Sequence, residues 1–326
     1  MTKKKKKTVP STKPKSPSSQ RRNLEPQEKN PPSHFLSERM NRTIGRVVKE
    51  KGFESIDEAN EYLNKHFIGK KLDDFLEEME YDPIEEAQEL AFKAMEAEDP
   101  GEMIICTLEA LVLDPNCIDA LMQAAQISSP TDEDLIDRIK LIIFRAEKSL
   151  GKEFINENKG HFWGVIETRP YMRALGFLAE TLLELEQTEE AIQVHEKMLD
   201  FNPNDNQGIR YILIGLYLEE KKLPKVRKLL KEYDHEPSAV FQWGHVLERF
   251  LSGDLDAAKK ALQKAEKRNP FVLDYLTAKK RFPDESPAHY TPGEESEAIV
   301  CFEEIGQAWL KYPESIIWLQ SVSSSS

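Results

Sequence analysis

The fold is decided by residues 169–203, RPYMRALGFLAETLLELEQTEEAIQVHEKMLDFNP. This stretch contains an apolar helix-forming run, a short polar turn, a second amphipathic run and a closing proline, Pro203. The same order returns in residues 204–237 and 238–270, which close at Pro237 and Pro270. The closing prolines lie 34 and 33 residues apart. A two-helix unit with such a period predicts an array of helix pairs in which each pair packs on the next.

A polar junction, DFNPNDNQGIRYILIGLY (residues 200–217), separates the first two units. Its Asn and Asp side chains suggest a calcium loop, but the residue order of an EF-hand and its downstream Glu are both missing. Pro203 cannot continue the preceding helix, and residues 204–206 include side chains that can cap the next one. Gly208 lets two backbones approach each other. The junction is therefore predicted to be a hinge between repeats.

The three units resemble the tetratricopeptide repeat (TPR) in their period and in the places of their large and small residues. The second unit departs from the pattern at Lys225 and Val226, where a small residue is usual. The resemblance implies an all-α fold, a right-handed α-solenoid of TPR-like helix pairs closed by helical caps. Signature positions are occupied by Leu175, Leu178, Ala179, Leu182, Ala191, Pro203, Ile209, Ile212, Leu216, Trp243, Val246, Phe250, Ala257 and Ala258.

Longer stretches are similar to two groups of proteins. HFWGVIETRPYMRA (161–174) and NPNDNQGIRY (202–211) resemble bacterial TPR proteins. The segments YDHEPSA, NPFVLDYL, YTPGEESEAIV and AWLKYPESIIWL, all between residues 233 and 319, are similar to the C-terminal part of the suppression-of-tumorigenicity-seven family. Neither resemblance supplies a catalytic residue.

Seven segments are predicted along the chain, because the repeat pattern is regular only in its middle. They are a disordered Lys/Pro/Ser-rich tail (1–33), an N-terminal helical segment (34–80), irregular TPR-like pairs (81–150), an insertion (151–170), three TPR units (171–270), a C-terminal helical cap (271–320) and a disordered end (321–326).

The tail differs from the rest of the chain in charge. Residues 1–33 carry ten basic and two acidic side chains, whereas the whole chain has a net charge of −13. An acidic body does not suit phosphate binding, so a weak nucleic-acid contact would have to lie in residues 1–33. The tail either tethers the chain to nucleic acid or a ribosome, or it only improves solubility.

Composition and motifs do not indicate an enzyme. Cys106, Cys117 and Cys301 lie far apart, and the seven His residues form no metal-binding spacing. There is no P-loop, no dinucleotide-binding motif and no nucleophile elbow. We therefore expect no catalytic residue, no metal and no cofactor. No apolar run reaches the roughly 18 to 20 residues that cross a bilayer, which predicts a cytoplasmic chain without a membrane contact.

The resemblance to TPR arrays implies a concave groove lined by the first helix of each unit, and this groove is the predicted binding site, with a protein or peptide as partner. Side chains at helical spacing on these helices share one face. The set is rich in Arg and aromatic residues, as interface hot spots are. Alternatively, these side chains satisfy one another across neighbouring repeats. The set comprises Arg173, Phe177, Glu180, Gln207, Arg210, Tyr211, Ile214, Phe241, His245 and Glu248.

The insertion contains a second candidate cluster: Phe162, Trp163, Glu167, Arg169 and Tyr171. Arginine among aromatic rings can bind a carboxylate or a peptide. The other interpretation is structural, with Trp163 filling the irregular joint and Glu167 pairing with Arg169. The sequence leaves both interpretations open.

Overall fold

A computed structural model describes residues 35–67, 69 and 82–323. These residues form α-helices and connecting segments, and no strand occurs among them. A short 3₁₀ turn, Ile166–Thr168, precedes α8. The helices are α1 (Leu36–Lys51), α2 (Ile56–Phe67), α3 (Pro83–Glu96), α4 (Pro100–Leu113), α5 (Ile118–Ser128), α6 (Asp132–Leu150), α7 (Lys152–Asn158), α8 (Arg169–Glu184), α9 (Thr188–Phe201), α10 (Ile209–Glu219), α11 (Leu223–Glu232), α12 (Ala239–Leu251), α13 (Leu255–Arg268), α14 (Val272–Leu276), α15 (Glu295–Lys311) and α16 (Pro313–Ser323).

Consecutive helices pack in pairs: α3 with α4, α5 with α6, α8 with α9, α10 with α11, and α12 with α13. Each pair also contacts the next one along the chain. The second helix of a pair packs on the first helix of the following pair, as α6 does on α8 and α9 does on α10. First helices also touch one another, as α3 touches α5 and α10 touches α12. We call the surface formed by α3, α5, α8, α10 and α12 the first-helix face.

Helix starts are fixed by short polar side chains and by proline. Asp82 accepts hydrogen bonds from two amides of the first turn of α3, and Pro83 follows it. Asp99 and Pro100 open α4 in the same way, with Asp99 accepting from the Glu102 amide. Proline suits this position because the first amides of a helix have no partner within it. Each helix of this pair therefore has a defined start.

The junction at residues 202–208 joins α9 to α10. Asp205 accepts hydrogen bonds from the amides of Ile209 at 2.7 Å and Arg210 at 2.9 Å, so it caps α10. Gly208 has a φ of 75°, a left-handed conformation that glycine adopts without steric cost. Among the described residues, no cluster of three or more His, Cys, Asp or Glu side chains could hold a metal ion.

The insertion, residues 151–170, folds against the end of α9. Gly160 and Phe162 both donate their amides to the carbonyl of Phe201. The Phe162 ring is fully buried and stacks on the Phe201 ring with centroids 4.4 Å apart. The insertion therefore contributes to the main hydrophobic core.

Helix α15 packs along α10 and α12 and so covers one part of the first-helix face. Five of its side chains are fully buried: Ala298, Cys301, Ile305, Ala308 and Trp309. The Trp309 ring meets the Trp243 ring of α12 edge to face, with centroids 6.3 Å apart. The region predicted as a terminal cap thus includes a helix that lies along the array.

Buried apolar residues form two separate clusters. The main core extends from α5 and α6 to α16 and includes Trp243, Trp309, Tyr171 and Phe162. A smaller cluster between α3, α4 and α5 consists of Ala87, Ala91, Ala110, Cys117 and Ala120. Among the described residues, no helix combines the length and the apolar character that crossing a membrane requires.

Candidate protein-interaction surface

Helix α1 lies against another part of the first-helix face, with side-chain contacts to α3 and α8. The Arg173 guanidinium of α8 contacts Glu38 of α1 through two hydrogen bonds, of 2.7 and 3.2 Å. The same guanidinium donates to Asp119 of α5 at 2.9 and 2.5 Å. Burial by itself lowers the pKa of Arg173, but Asp119 and Glu38 more than offset this effect and raise it. Arg173 therefore stays charged while it ties three helices together.

Aromatic rings enclose this ion-paired centre. The Phe35 ring stacks on the Phe92 ring of α3 with centroids 4.7 Å apart. The Arg173 guanidinium lies 5.5 Å from the Phe35 centroid and 5.7 Å from that of Phe92. Cation–π contacts of this kind strengthen as water is excluded. The guanidinium therefore lies beside a stacked pair of rings and contacts two carboxylates.

Further ion pairs follow α1 toward its C-terminus. Arg39 donates to Glu89 of α3 at 2.6 Å. Arg42 lies 3.5 Å from Glu85 and donates to the carbonyl of Ile166 at 3.4 Å. A cleft of about 490 Å³ lies beside these contacts, lined in part by residues of α1, of α3 and of the 3₁₀ turn. The contact between α1 and the helices beneath it is mainly polar.

The predicted groove residues of α10 and α12 do not share one accessible surface. Ile214, Phe241 and Glu248 are buried, so in this structure they have no surface to offer to a partner. That the set as a whole lines a partner-binding groove stays a prediction. Glu248 can be buried because its carboxylate has nearby partners. It accepts a hydrogen bond from Arg227 at 2.7 Å and pairs with Arg249 at 3.3 Å.

Arg210 and Tyr211 hold two loops together. Arg210 pairs with Asp205 at 3.2 Å and with Glu236 at 2.8 Å. Its guanidinium lies 4.6 Å from the centroid of the Tyr211 ring. The Tyr211 ring in turn meets the Phe241 ring at right angles, with centroids 5.8 Å apart. These side chains pair with one another across neighbouring repeats, which is the alternative interpretation of the groove residues.

Gln207 and His245 are half-buried members of the predicted set. Arg249 donates to Nε2 of His245 at 3.0 Å, so His245 acts as an acceptor. Burial, together with the positive charge of Arg249, lowers the pKa of His245. A neutral imidazole is thus favoured at this position.

Phe177 and Glu180 of the predicted set lie on α8. Phe177 is half-buried and Glu180 is exposed, as is Glu184 one turn further on. This accessible segment of α8 follows the part of the helix that α1 covers through Arg173. Glu180 and Glu184 are therefore exposed positions on the first-helix face that a partner can contact.

The insertion cluster is divided by the structure. Phe162 and Tyr171 belong to the core, and the Tyr171 hydroxyl donates to Glu147 at 2.8 Å. Arg169 lies 5.2 Å from the centroid of the Trp163 ring and donates to the Trp163 carbonyl at 3.0 Å. Its nearest carboxylate partner is Glu38 of α1 at 3.7 Å, while Glu167 is exposed. Phe162 therefore fills the joint, and Arg169 belongs to the centre around Arg173.

Two features of the structure were not predicted from the sequence. The centre formed by Glu38, Asp119 and Arg173 joins residues far apart in the chain, and no spacing signals it. The second is an exposed apolar stripe on α4, which the run MIICTLEALVL (103–113) could have indicated. Its side chains are Ile104, Ile105, Leu108 and Val112.

Comparisons with known proteins leave the site to be argued from its own chemistry. No protein-family model matches the chain, and no curated protein sequence is significantly similar to it. The resemblance to TPR proteins rests on the repeat pattern described above.

Proposed function

We infer that the chain is a non-enzymatic scaffold that binds a protein or a peptide on its first-helix face. One observation carries this proposal: the face formed by α3, α5 and α8 already holds a helix, α1, through the contacts of Arg173 with Glu38. A surface that holds a helix of its own chain through an aromatic ring and a carboxylate can hold a helical segment of a partner through the same groups.

The proposed architecture is a right-handed α-solenoid of the TPR type. Support comes from the order of packing, in which helix pairs contact the next pair along the chain. In a solenoid of this kind the first helices line the concave side. The first-helix face would then be the concave surface, with α1 toward one end and α15 toward the other.

The experiment tests the accessible segment of α8. The double variant Glu180→Lys with Glu184→Lys reverses two exposed charges on this segment. We expect cross-linking followed by mass spectrometry to map bound partners of the wild type to α8. The variant should lose these cross-links by about tenfold, since reversed charge at an interface costs more than 1 kcal/mol.

A matched control carries the same change on another helix. Glu153→Lys with Glu157→Lys alters two exposed residues of α7 and should leave the cross-links unchanged. If both double variants recover partners equally, the proposal that α8 is part of the binding surface is wrong. The variant Arg210→Glu would be less informative, because Arg210 also supports the Asp205 and Glu236 loops.

A second candidate function is contact with nucleic acid or a ribosome through residues 1–33, favoured by their ten basic and two acidic side chains. Binding of this kind weakens steeply with salt because counterions are released from phosphate. Titration of an RNA oligonucleotide at rising salt, with wild type and with a chain lacking residues 1–33, tests it. A steep salt slope that disappears with the deletion supports this candidate, and no binding at low salt excludes it.

A further inference from the structure

Two helices cover the first-helix face, and they do so with different chemistry. Helix α15 contributes Ala298, Cys301, Ile305, Ala308 and Trp309, all fully buried. Buried residues of α1 are Glu38, Thr43 and Val47, of which only Val47 is apolar. Apolar burial is the main source of stable packing, whereas polar interfaces resemble those that form and separate.

Hydrogen bonding also distinguishes the two helices. Glu297 of α15 is buried and accepts from the Ala239 amide at 3.1 Å, so it caps the start of α12. It also accepts from Asn269 at 3.0 Å and from the Gly293 amide at 2.6 Å. Loss of α15 would leave the Ala239 amide without this carboxylate. Helix α15 is therefore a permanent part of the fold.

The site beneath α1 is held by contacts that do not involve α1. Gln88 donates to Asp119 at 2.7 Å, and Asp119 holds Arg173 from below. These three residues belong to α3, α5 and α8, which pack together in any case. The guanidinium edge that faces Glu38 is thus held in place for a carboxylate, with the Phe92 ring beside it. A fixed guanidinium of this kind is well suited to bidentate carboxylate binding.

We propose that α1 is a replaceable occupant of this site, and that the site takes a helical segment of a partner protein that carries an aromatic residue and, three positions later, a carboxylate. This inference rests on the proposed function and names its ligand. In α1 the two positions are Phe35 and Glu38. A partner segment places its ring on Phe92 and its carboxylate on Arg173, and α1 leaves.

Hydrogen exchange of the full wild-type chain tests the first half of this proposal. Central amides of α1 (residues 40–47) should exchange at least about tenfold faster than central amides of α15 (residues 300–308), because α1 leaves by a local opening. Equal protection of the two segments would overturn the proposal, since it would place α1 in the same cooperative unit as α15.

Peptide binding tests the second half. The probe is a fluorescent peptide of residues 35–52, and the receptors are the full wild-type chain and its double variant Phe35→Ala with Glu38→Gln. Arg173 keeps Asp119 as a partner in this variant, so its fold should persist, which circular dichroism checks. The peptide should bind the variant about tenfold more tightly than the wild type, whose own α1 competes. Equal affinity for both chains contradicts the proposal.

Two controls separate the explanations. A peptide carrying Glu38→Lys should not bind, because Arg173 then meets a positive charge; binding of this peptide would show that the carboxylate is not recognised. A receptor carrying Glu153→Gln, an isosteric change on exposed α7, should behave as the wild type does. If the proposed function is wrong, the α8 and α7 double variants recover partners equally in the cross-linking experiment. If this inference is wrong, the peptide binds the wild type and the Phe35→Ala, Glu38→Gln variant with equal affinity. The two failures are therefore distinguishable.

Discussion

Gly215 is the residue at which the backbones of α10 and α15 meet. A methyl group at this position would overlap the carbonyl oxygen of Glu304. Because the obstacle is backbone rather than a flexible side chain, relief requires a shift of the whole helix. Overpacking of this kind typically costs about 1–3 kcal/mol.

The variant Gly215→Ala should therefore lower the free energy of unfolding by about 1–3 kcal/mol, despite the better helix propensity of alanine. Gly45→Ala is the matched control, because no heavy atom lies within 4 Å of the methyl group it would add to α1. The control should leave stability unchanged or slightly improved. Denaturant titration measures both, and an unaltered midpoint for Gly215→Ala would mean that α15 lies elsewhere.

Glu304 gives α15 a dependence on pH. Burial, assisted by the neighbouring charge of Glu303, raises the pKa of Glu304 to about 7 from its ordinary 4.5. Between these values the folded chain holds a proton that the unfolded chain has released. Folding is thus favoured at the acidic side of this window, and stability falls as the pH rises from 4.5 to 7.

The variant Glu304→Gln has no carboxyl group to titrate at this position, so it should not lose stability as the pH rises. We expect it to match the wild type near pH 4.5 and to be more stable by about 1–3 kcal/mol at pH 8, allowing for partial exposure of the carboxyl group. Denaturant unfolding at both pH values measures the difference. Glu314→Gln, at an exposed position of α16, is the control. A difference between Glu304→Gln and wild type that does not change with pH would show that the carboxyl group is solvated.

At the scale of elements, α1 and α15 both pack on the first-helix face, but they are attached to it with unequal strength. Breaking a buried ion pair is costly when one partner stays behind unpaired. When α1 departs, Glu38 becomes solvated and Arg173 retains Asp119, whereas Glu89 of α3 loses Arg39. No such compensation exists for the apolar side of α15. The two helices therefore differ in chemistry, and α15 also packs more extensively on its neighbours than α1 does.

Trp309 should carry much of the attachment of α15. It is fully buried against Trp243, so Trp309→Ala should lower the free energy of unfolding by about 3–5 kcal/mol. The adjacent Leu310 is 49% exposed on the same helix, and Leu310→Ala should change stability by no more than about 0.5 kcal/mol. Equal effects of the two changes, measured by denaturant unfolding, would contradict the packing described for α15.

At the scale of the whole molecule, packing of successive pairs makes stability local. The small cluster between α3, α4 and α5 is built largely from alanine, while the main core contains two tryptophans. Arrays that are stacked in this way can open from the weaker end without global unfolding. The α3–α4 pair should therefore open before the rest of the array.

Three natural cysteines report on this order. Cys106 and Cys117 lie at the α3–α4 end and Cys301 in the main core, and all three are free and buried. Burial raises the pKa of Cys117 to about 12 and raises that of Cys301, so alkylation requires opening. Pulsed alkylation with mass spectrometry at rising denaturant should modify Cys106 and Cys117 before Cys301. Simultaneous modification would indicate one cooperative unit.

The accessibility of the predicted groove residues shows where sequence reasoning stops. Helical periodicity placed Ile214, Phe241 and Glu248 on one face, but it carries no information about a distant helix that packs on that face. Arg173 was recognised as a candidate, yet its partners Glu38 and Asp119 are 135 and 54 residues away. Pairings over such separations depend on how the helices stack, which local patterns do not encode.

Sequence by itself determined the all-helical character of the described chain, because turn prolines, capping residues and apolar periodicity are local properties. It also marked residues 202–208 as a joint, since the cap at Asp205 reaches only four and five residues ahead. Only the tertiary structure decided what covers the first-helix face. That outcome depends on the close approach at Gly215 and on the ion pairs of Arg173, which form after distant helices have been brought together.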